Sequence, residues 1–401
     1  MRRLALSPRH DWPQTAERFG FTFHTLYGAP YWCEEAAYAF TLEQIENDLE
    51  DPTAELMALC YQVVERASRD DEVLSSLRIP PPWWGPIRES WRRGDKDLYA
   101  RFDLAYDGHG PARLLELNAD TPTALFESAF FQWLWLEEAG QRGLIPRGCD
   151  QFNSIQEALI DAFAALAPDW LTVPGSRTMH LASVAANAED RGTILYLRDC
   201  AHQAGLATTV LDIEAIGVDA NGALTDSENH VIAALFKLYP WEWLITEPFA
   251  PFLKGPRAPR ILEPCWKMVL STKGLLPWLW RIFPGHPNLL PAWFADDPAA
   301  RPAARHVIKP LLSREGANVR LVDPALPEGG FATDGPYGAE GQVIQDYHPL
   351  PVFHDGAGRR HHAVVGSWII AGRPHGIGMR EDDGPITVNT SRFVPHLIVP
   401  S

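Results

Sequence analysis

Arg101 and Asp103 stand two apart in RFDLAYDG, and Glu116 and Asn118 stand two apart in LLELNADTPT. Both stretches predict strands, and in an extended chain residues two apart face the same way. Paired, the strands would gather one guanidinium, two carboxylates and an amide oxygen on one surface. Hard oxygen ligands on a rigid sheet suit Mg²⁺, which is held by a few carboxylates together with phosphate oxygens. A guanidinium beside them neutralises a phosphoryl group. The same four residues would equally make an ordinary ion pair on a sheet surface.

Other segments carry candidate chemistry too. HVIKPLLSREGANVRLV reads as strand, polar loop, strand, with Lys309 on the first strand and Ser313, Arg314 and Gly316 in a loop that runs to Asn318. Such a loop folds over phosphates with its backbone N–H groups, while Arg314 adds charge. It follows none of the standard glycine-rich phosphate motifs, and taken alone the loop reads first as an ordinary hairpin turn. In STKGLLPWLW, Lys273 lies early in an apolar predicted helix, as a phosphate ligand or a snorkelling surface residue, and Lys267 is an equal candidate. QVIQDYHPLP carries Gln345 and Tyr347 into a proline-stiffened turn that taken alone reads first as an edge strand, and whose backbone could also meet an adenine edge. GIGMREDDGPITVNTSRF places Arg380 on a glycine-flanked strand, suited to a transferring phosphoryl group. His354, His361, His362 and His375 follow no zinc spacing, G-x-S-x-G is absent, and no cysteine is locally marked as a nucleophile.

The elements that must position these residues follow from periodicity. Leu42, Ile45, Leu49, Leu56, Leu59 and Val63 recur at helical spacing over 42–70. Residues 123–140 predict a second helix, capped by Thr121 or Thr123 and stopped at Gly140, and 153–166 a third. Strand-like runs at 100–105, 112–117, 178–183, 207–212 and 231–236 alternate with helices, the pattern of an α/β core. Past KGPRAPR at 254–260 comes a predicted helix over 266–283. Strands at 305–312, 318–323, 341–347 and 363–371 then predict an antiparallel layer. The expected division is 1–258 and 259–401.

Composition narrows the function classes. The 401 residues suit two or three units at ~100–200 residues each. An apolar share of 46% excludes global disorder. Lys plus Arg total 35 against 51 Asp plus Glu, a net charge of −16, which argues against duplex nucleic acid or an anionic membrane as partner. Five scattered cysteines without C-x-x-C argue against a disulfide framework and fit a reducing cytoplasm. MRRLALSPRH has no apolar core behind its arginines and does not read as a secretory signal, and no apolar run of about 18 residues predicts a spanning helix.

Taken together, the segments resemble the glutathionylspermidine synthase family of ATP-grasp ligases, in its stand-alone bacterial form without an attached amidase domain. The likeness rests on YGAPYWCEEAAYAFT, LLELNADTPTALFESAFFQWLW, EPCWKMVLSTKGLLPWLWRIFPGHPNLLPAWF, KPLLSREGANV, VIQDYHPLP and VVGSWIIAGRPHGIGMREDDGPITVNTSRFVPH, in order over nearly the whole chain. It implies an α/β (α+β) fold. An ATP-grasp nucleotide-binding region would occupy 259–401, behind a pre-ATP-grasp-like α/β region, 1–258, that supplies Mg²⁺ ligands and substrate contacts. Asp103, Glu116 and Asn118 would be the Mg²⁺ ligands, with Arg101 and Arg380 at the transferred phosphoryl group. Lys273, Lys309, Ser313, Arg314, Gly316, Gln345 and Tyr347 would contact the nucleotide; spacing to Lys309 favours Lys273 over Lys267. Thr121 and Thr123 stand where the family has serines near the acid substrate. Glu189 and Asp190 match an acidic pair near the amine.

The activity so implied is an ATP- and Mg²⁺-dependent acid–amine ligase. A carboxylate is phosphorylated, and an amine attacks the acyl phosphate to form an amide. The expected partners are a small-molecule acid, glutathione or a related peptide, and a polyamine-like amine. The chemistry agrees: oxide is a poor leaving group and phosphate a good one, and phosphoryl transfer needs positioning and charge neutralisation more than a nucleophilic side chain. Water must be kept from the acyl phosphate, with the exposed 313–318 loop as the expected lid. The rival reading is an ATP-binding regulatory or partner-binding protein without ligase turnover. A thiol hydrolase or amidase finds no Cys–His constellation to support it.

Overall fold

Tyr99–Ala105 and Arg113–Asn118 pair antiparallel, with Arg101 opposite Asn118 and Asp103 opposite Glu116. The two-residue spacing therefore does place all four side chains on one face. A computed structural model describes this chain over residues 1–26, 28–170 and 178–400. Tyr27, the first residue of YGAPYWCEEAAYAFT, lies outside the described residues.

This strand pair ends a larger sheet ordered Arg392–Val394, Arg373–Asp382, Arg360–Ile370, Tyr99–Ala105, Arg113–Asn118, with Val352–His354 also on Arg360–Ile370. A second, antiparallel sheet holds three of the four strands expected in one layer, ordered Ala292–Phe294, Gln342–Asp346, His306–Pro310, Arg320–Val322, Gly330–Ala332; the fourth, expected at 363–371, belongs to the first sheet because it pairs with Tyr99–Ala105. A third is parallel, ordered Arg260–Leu262, Ala234–Leu238, Thr178–Ser183, Ala207–Asp212. The helix Ala188–Gln203 supplies the crossover that parallel neighbours require. Arg260–Leu262 carries this sheet across the expected 258/259 division, and the first sheet joins 99–118 to 352–394.

The first predicted helix is present. Thr41 caps it in a reciprocal box with Gln44, a π turn interrupts it at Glu46–Glu50, and Asp51–Ala67 buries Leu56, Met57, Cys60, Val63 and Val64. The other predicted boundaries need correction. The second helix opens with a π turn, Glu127–Phe131, and continues as Gln132–Gln141, leaving through left-handed Gly143 rather than Gly140. Neither threonine caps it: the turn has no side-chain cap, and Thr121 Oγ1 instead accepts from Arg314. The expected 266–283 helix is two pieces, a 3₁₀ turn Cys265–Val269 and the helix Leu275–Ile282. Between them the Leu311 carbonyl accepts from the Lys273 N–H at 2.9 Å and from Thr272 Oγ1 at 3.3 Å, which holds Lys273 outside the helix. Among the described residues no helix is long and apolar enough to cross a membrane.

Candidate active site

One wall of the site is the strand pair. Arg101 grips Asp103 through two bonds, Nε to Oδ1 at 2.7 Å and Nη2 to Oδ2 at 3.0 Å, and its Nη1 donates to the Thr123 carbonyl. On the neighbouring strand, a Cβ at Gly366 would lie 2.9 Å from Arg101 Cδ, so glycine there leaves room for the arginine stem. Asn118 Nδ2 donates to Asp103 Oδ2 at 3.2 Å and reaches Glu116 Oε1 at 3.5 Å. Two carboxylates and an amide thus share one patch. Turned over, that amide presents its oxygen beside both carboxylates, a donor set that fits a hard divalent cation. Among the described residues no group of three or more His, Cys, Asp or Glu gathers as a metal site, the histidines included.

The facing wall comes from the antiparallel sheet. Lys309 Nζ donates to the Leu115 carbonyl and to Gln345 Oε1, both at 2.8 Å, and Gln345 Nε2 donates to the Leu114 carbonyl at 2.9 Å. These bonds fasten the two sheets together and fix the lysine. They also commit the Gln345 side chain to holding Lys309. Lys273 Nζ lies 3.1 Å from Glu116 Oε2 and donates to the Ser313 carbonyl at 2.6 Å. Lys267 is instead buried among Glu263, Asp97 and the Tyr99 carbonyl, so Lys273 is the lysine at the cavity. Burial opposes ionisation of Glu116, but Lys273 and Lys309 outweigh it and hold the carboxyl at about 2. Burial pushes the Lys309 ammonium down to about 8, against the pull of Glu116.

Between the walls is a cavity of about 120 Å³. Asp103, Glu116, Lys273, Lys309, Gln345 and Tyr347 line it, together with Val307, Leu321 and Val364. Ligand pockets usually measure roughly 300–1,000 Å³. This one is narrowed by the loop over it: a Cβ on Gly316 would collide with the Thr387 carbonyl, and 385–387 also line the space. The loop is not the exposed flap expected from its sequence. Arg314 Nη1 donates to Thr121 Oγ1 at 2.7 Å, Nη2 pairs with Glu242, and the Trp243 ring lies 5.7 Å from the guanidinium. An arginine with partners on two other segments draws the loop down.

Arg380 and Glu189 lie near Tyr31. Arg380, opposite Val364 in the sheet, donates to the carbonyls of Ser391, Val388 and Asn389, all at 3.1 Å, and lies 5.3 Å from the Tyr31 ring. The Tyr31 hydroxyl donates to buried Glu127 at 2.6 Å. Half-buried Glu189 and Asp190 open the helix Ala188–Gln203, their N–H groups capped by Asn187. Burial lifts Glu189 to about 8, with Glu127 adding and Arg380 opposing, and burial lifts Asp190 to about 6, with Glu315 adding. Sequence reasoning did not single out Tyr31, Glu127 or Glu242 for function. Glu127 sits inside a helical pattern and Tyr31 in an aromatic run, so no local signal marks either. A wider surface cleft of about 340 Å³ between 72–78 and 294–298 holds none of the candidates. Its charges pair among themselves, Arg78 with Asp296 and Arg281 with Glu72 and Asp297.

The fold matches a solved glutathione synthetase like-effector from Globodera pallida across 96% of both chains, with a TM-score of 0.54 at 12% identity. That defines the class: a mixed α/β protein of glutathione synthetase-like ATP-grasp architecture. In sequence, the chain is 38% identical to the Haemophilus influenzae protein named acid–amine ligase, over the whole of both. It is 26% identical to the trypanothione synthetase of Crithidia fasciculata over 81% of this chain and 51% of that one. To the bifunctional glutathionylspermidine synthetase/amidase of Escherichia coli it is 26% identical over 90% of this chain and 59% of that one, so it spans little more than half of these two longer relatives. Residues 3–399 match the family described as Glutathionylspermidine synthase preATP-grasp, and the chain belongs to that family. It is a carbon–nitrogen ligase.

Proposed function

We propose that this ligase uses Mg-ATP to activate the carboxyl of a small acid, glutathione or a related peptide, and joins it to a polyamine-like amine in the cytoplasm. One observation carries the reading: Asp103, Glu116, Lys273 and Lys309 line one cavity, Arg101 grips Asp103, and Arg380 lies opposite the wall residue Val364. None of these is a nucleophile set beside a base. Phosphoryl transfer asks for such an array, because its demand is charge neutralisation and alignment.

Asp103, Glu116 and Asn118 would hold Mg²⁺, which when bound neutralises phosphate charge and fixes the phosphate geometry. Lys273 and Lys309 bind phosphate oxygens, with Gln345 keeping Lys309 in place. Tyr347, which lines the same cavity, would meet the adenine. Arg101 and Arg380 stabilise the charge on the transferring phosphoryl group. Ser313, Arg314 and Gly316 close the loop and exclude water from the acyl phosphate. Thr121 and Thr123 orient the acid, and Glu189 and Asp190 take up the cationic amine. In the second step a neutral amine attacks, the C–N bond forms, the C–O bond to phosphate breaks, and the nitrogen gives up one proton to the departing phosphate. Incubation with Mg-ATP, peptide acids and polyamines, followed by mass spectrometry, is expected to show one ADP released per amide formed. ADP released without any acid, or no amide from any pair, overturns the reading.

A further inference from the structure

The lid loop rests on a seat built from two other segments. Arg314 donates to Thr121 Oγ1 on one and pairs with Glu242 on the other, with Trp243 against its guanidinium. These two receptors are fastened to each other. Asp120, the neighbour of Thr121, is buried and accepts from the Trp241 backbone N–H at 2.8 Å and from Lys237, which is itself fully buried. Trp241 is the neighbour of Glu242, just beyond the parallel strand Ala234–Leu238. A fully buried ion pair loses the hydration of both charges and is a poor source of stability. This one sets the spacing between Thr121 and Glu242. An arginine fork matches two such acceptors at a fixed spacing, as a lysine would not. With Nη1 and Nη2 engaged, Arg314 Nε is buried and finds no partner among the described residues.

We infer that Glu242 is a positioning residue: by pairing with Arg314 it seats the 313–318 loop in register with Thr121, so that lid closure and placement of the acid substrate are one event. The role of Thr121 rests on the ligase reading above; the latch between loop and seat does not.

Glu242→Gln keeps the shape and removes the charge, whereas Glu242→Asp keeps the charge. Loss of one charge-assisted bond is expected to lower kcat/KM for the acid about tenfold in Glu242→Gln, with the melting temperature within a few degrees of the parent and part of the loss restored in Glu242→Asp. Because Glu242 acts through Arg314, the Gln change is expected to add nothing in an Arg314→Ala background. Additive losses, or a fall in melting temperature in place of the kinetic effect, overturn the inference. A second readout needs no substrate. Glu315 is exposed in the loop, and a glutamyl endoprotease is expected to cut after it several times faster in Glu242→Gln and in Arg314→Ala than in the parent chain. Unchanged cleavage in both variants removes the latch even if ligation is observed. Faster cleavage in a protein that makes no amide keeps the latch and removes the ligase reading.

Discussion

At Glu116, two ammonium groups outweigh the cost of burial and hold the carboxyl ionised. Removing that charge leaves Lys273 and Lys309 without the carboxylate they share and takes a candidate ligand from the Mg²⁺ patch. Glu116→Gln is expected to cut ADP production by about 10²-fold or more, measured at saturating Mg²⁺; retained turnover there would take Glu116 out of the site. The amine side has the opposite electrostatics. Glu189 holds its proton up to about 8, from an ordinary value of 4.5, chiefly through burial. Between those two pH values the folded chain keeps a proton that the unfolded chain has lost. On this group's account stability therefore falls as pH rises through that window. A polycation bound against Glu189 favours the carboxylate and reverses the trend. A polyamine is thus expected to raise the melting temperature more at pH 8 than at pH 6, and to displace protons at pH 7 in calorimetry run in two buffers of different ionisation enthalpy. Equal shifts at both pH values would place Glu189 outside the reach of the amine.

Among the elements, the 313–318 loop has a constrained backbone. Glu315, Gly316 and Asn318 all have positive φ, and Gly316 approaches the Thr387 carbonyl more closely than a side chain permits. Gly316→Ala is expected to hold the loop off the 385–387 turn and to raise KM for ATP about tenfold. The melting temperature should move by only a few degrees, because the substitution strains a loop rather than the core. An unchanged KM would mean that the two loops need not meet. How far such elements could be read in advance depended on the range of their contacts. Arg101, Asp103, Glu116 and Asn118 were legible because strand alternation alone puts them on one face. The break at Lys273 was not: the apolar run reads as one helix, and what interrupts it is the carbonyl of Leu311, 39 residues along the chain from Thr272. Arg314 likewise reads as the charge of a phosphate-covering loop until Thr121 and Glu242 are brought to it. Thr121 reads as a helix cap for the same reason.

For the molecule as a whole, the decisive feature is that sheets draw their strands from both sides of the change in sequence character near 255–262. Tyr99–Ala105, which carries Arg101 and Asp103, is hydrogen-bonded on one side to Arg113–Asn118 and on the other to Arg360–Ile370. His396–Ile398 runs parallel to Ala36–Phe40, and Arg3 donates to Glu381 at 2.6 Å. KGPRAPR marks a turn that local composition can reveal. Antiparallel pairing between segments more than 250 residues apart leaves no comparable mark, since each strand shows only its own alternation. We therefore propose the division at 258 as one of function and not of folding. Cut there, the chain would leave Tyr99–Ala105 with an open apolar edge and take Arg260–Leu262 from the parallel sheet, conditions that favour aggregation over a folded state. Expressed alone, 1–258 is expected to show no cooperative transition in calorimetry, and co-expression with 259–401 is expected to restore a single one. A sharp transition in 1–258 by itself would show that the metal-ligand strands can form their sheet without Arg360–Ile370, and the two regions would then be separate folding units that meet only to enclose the nucleotide.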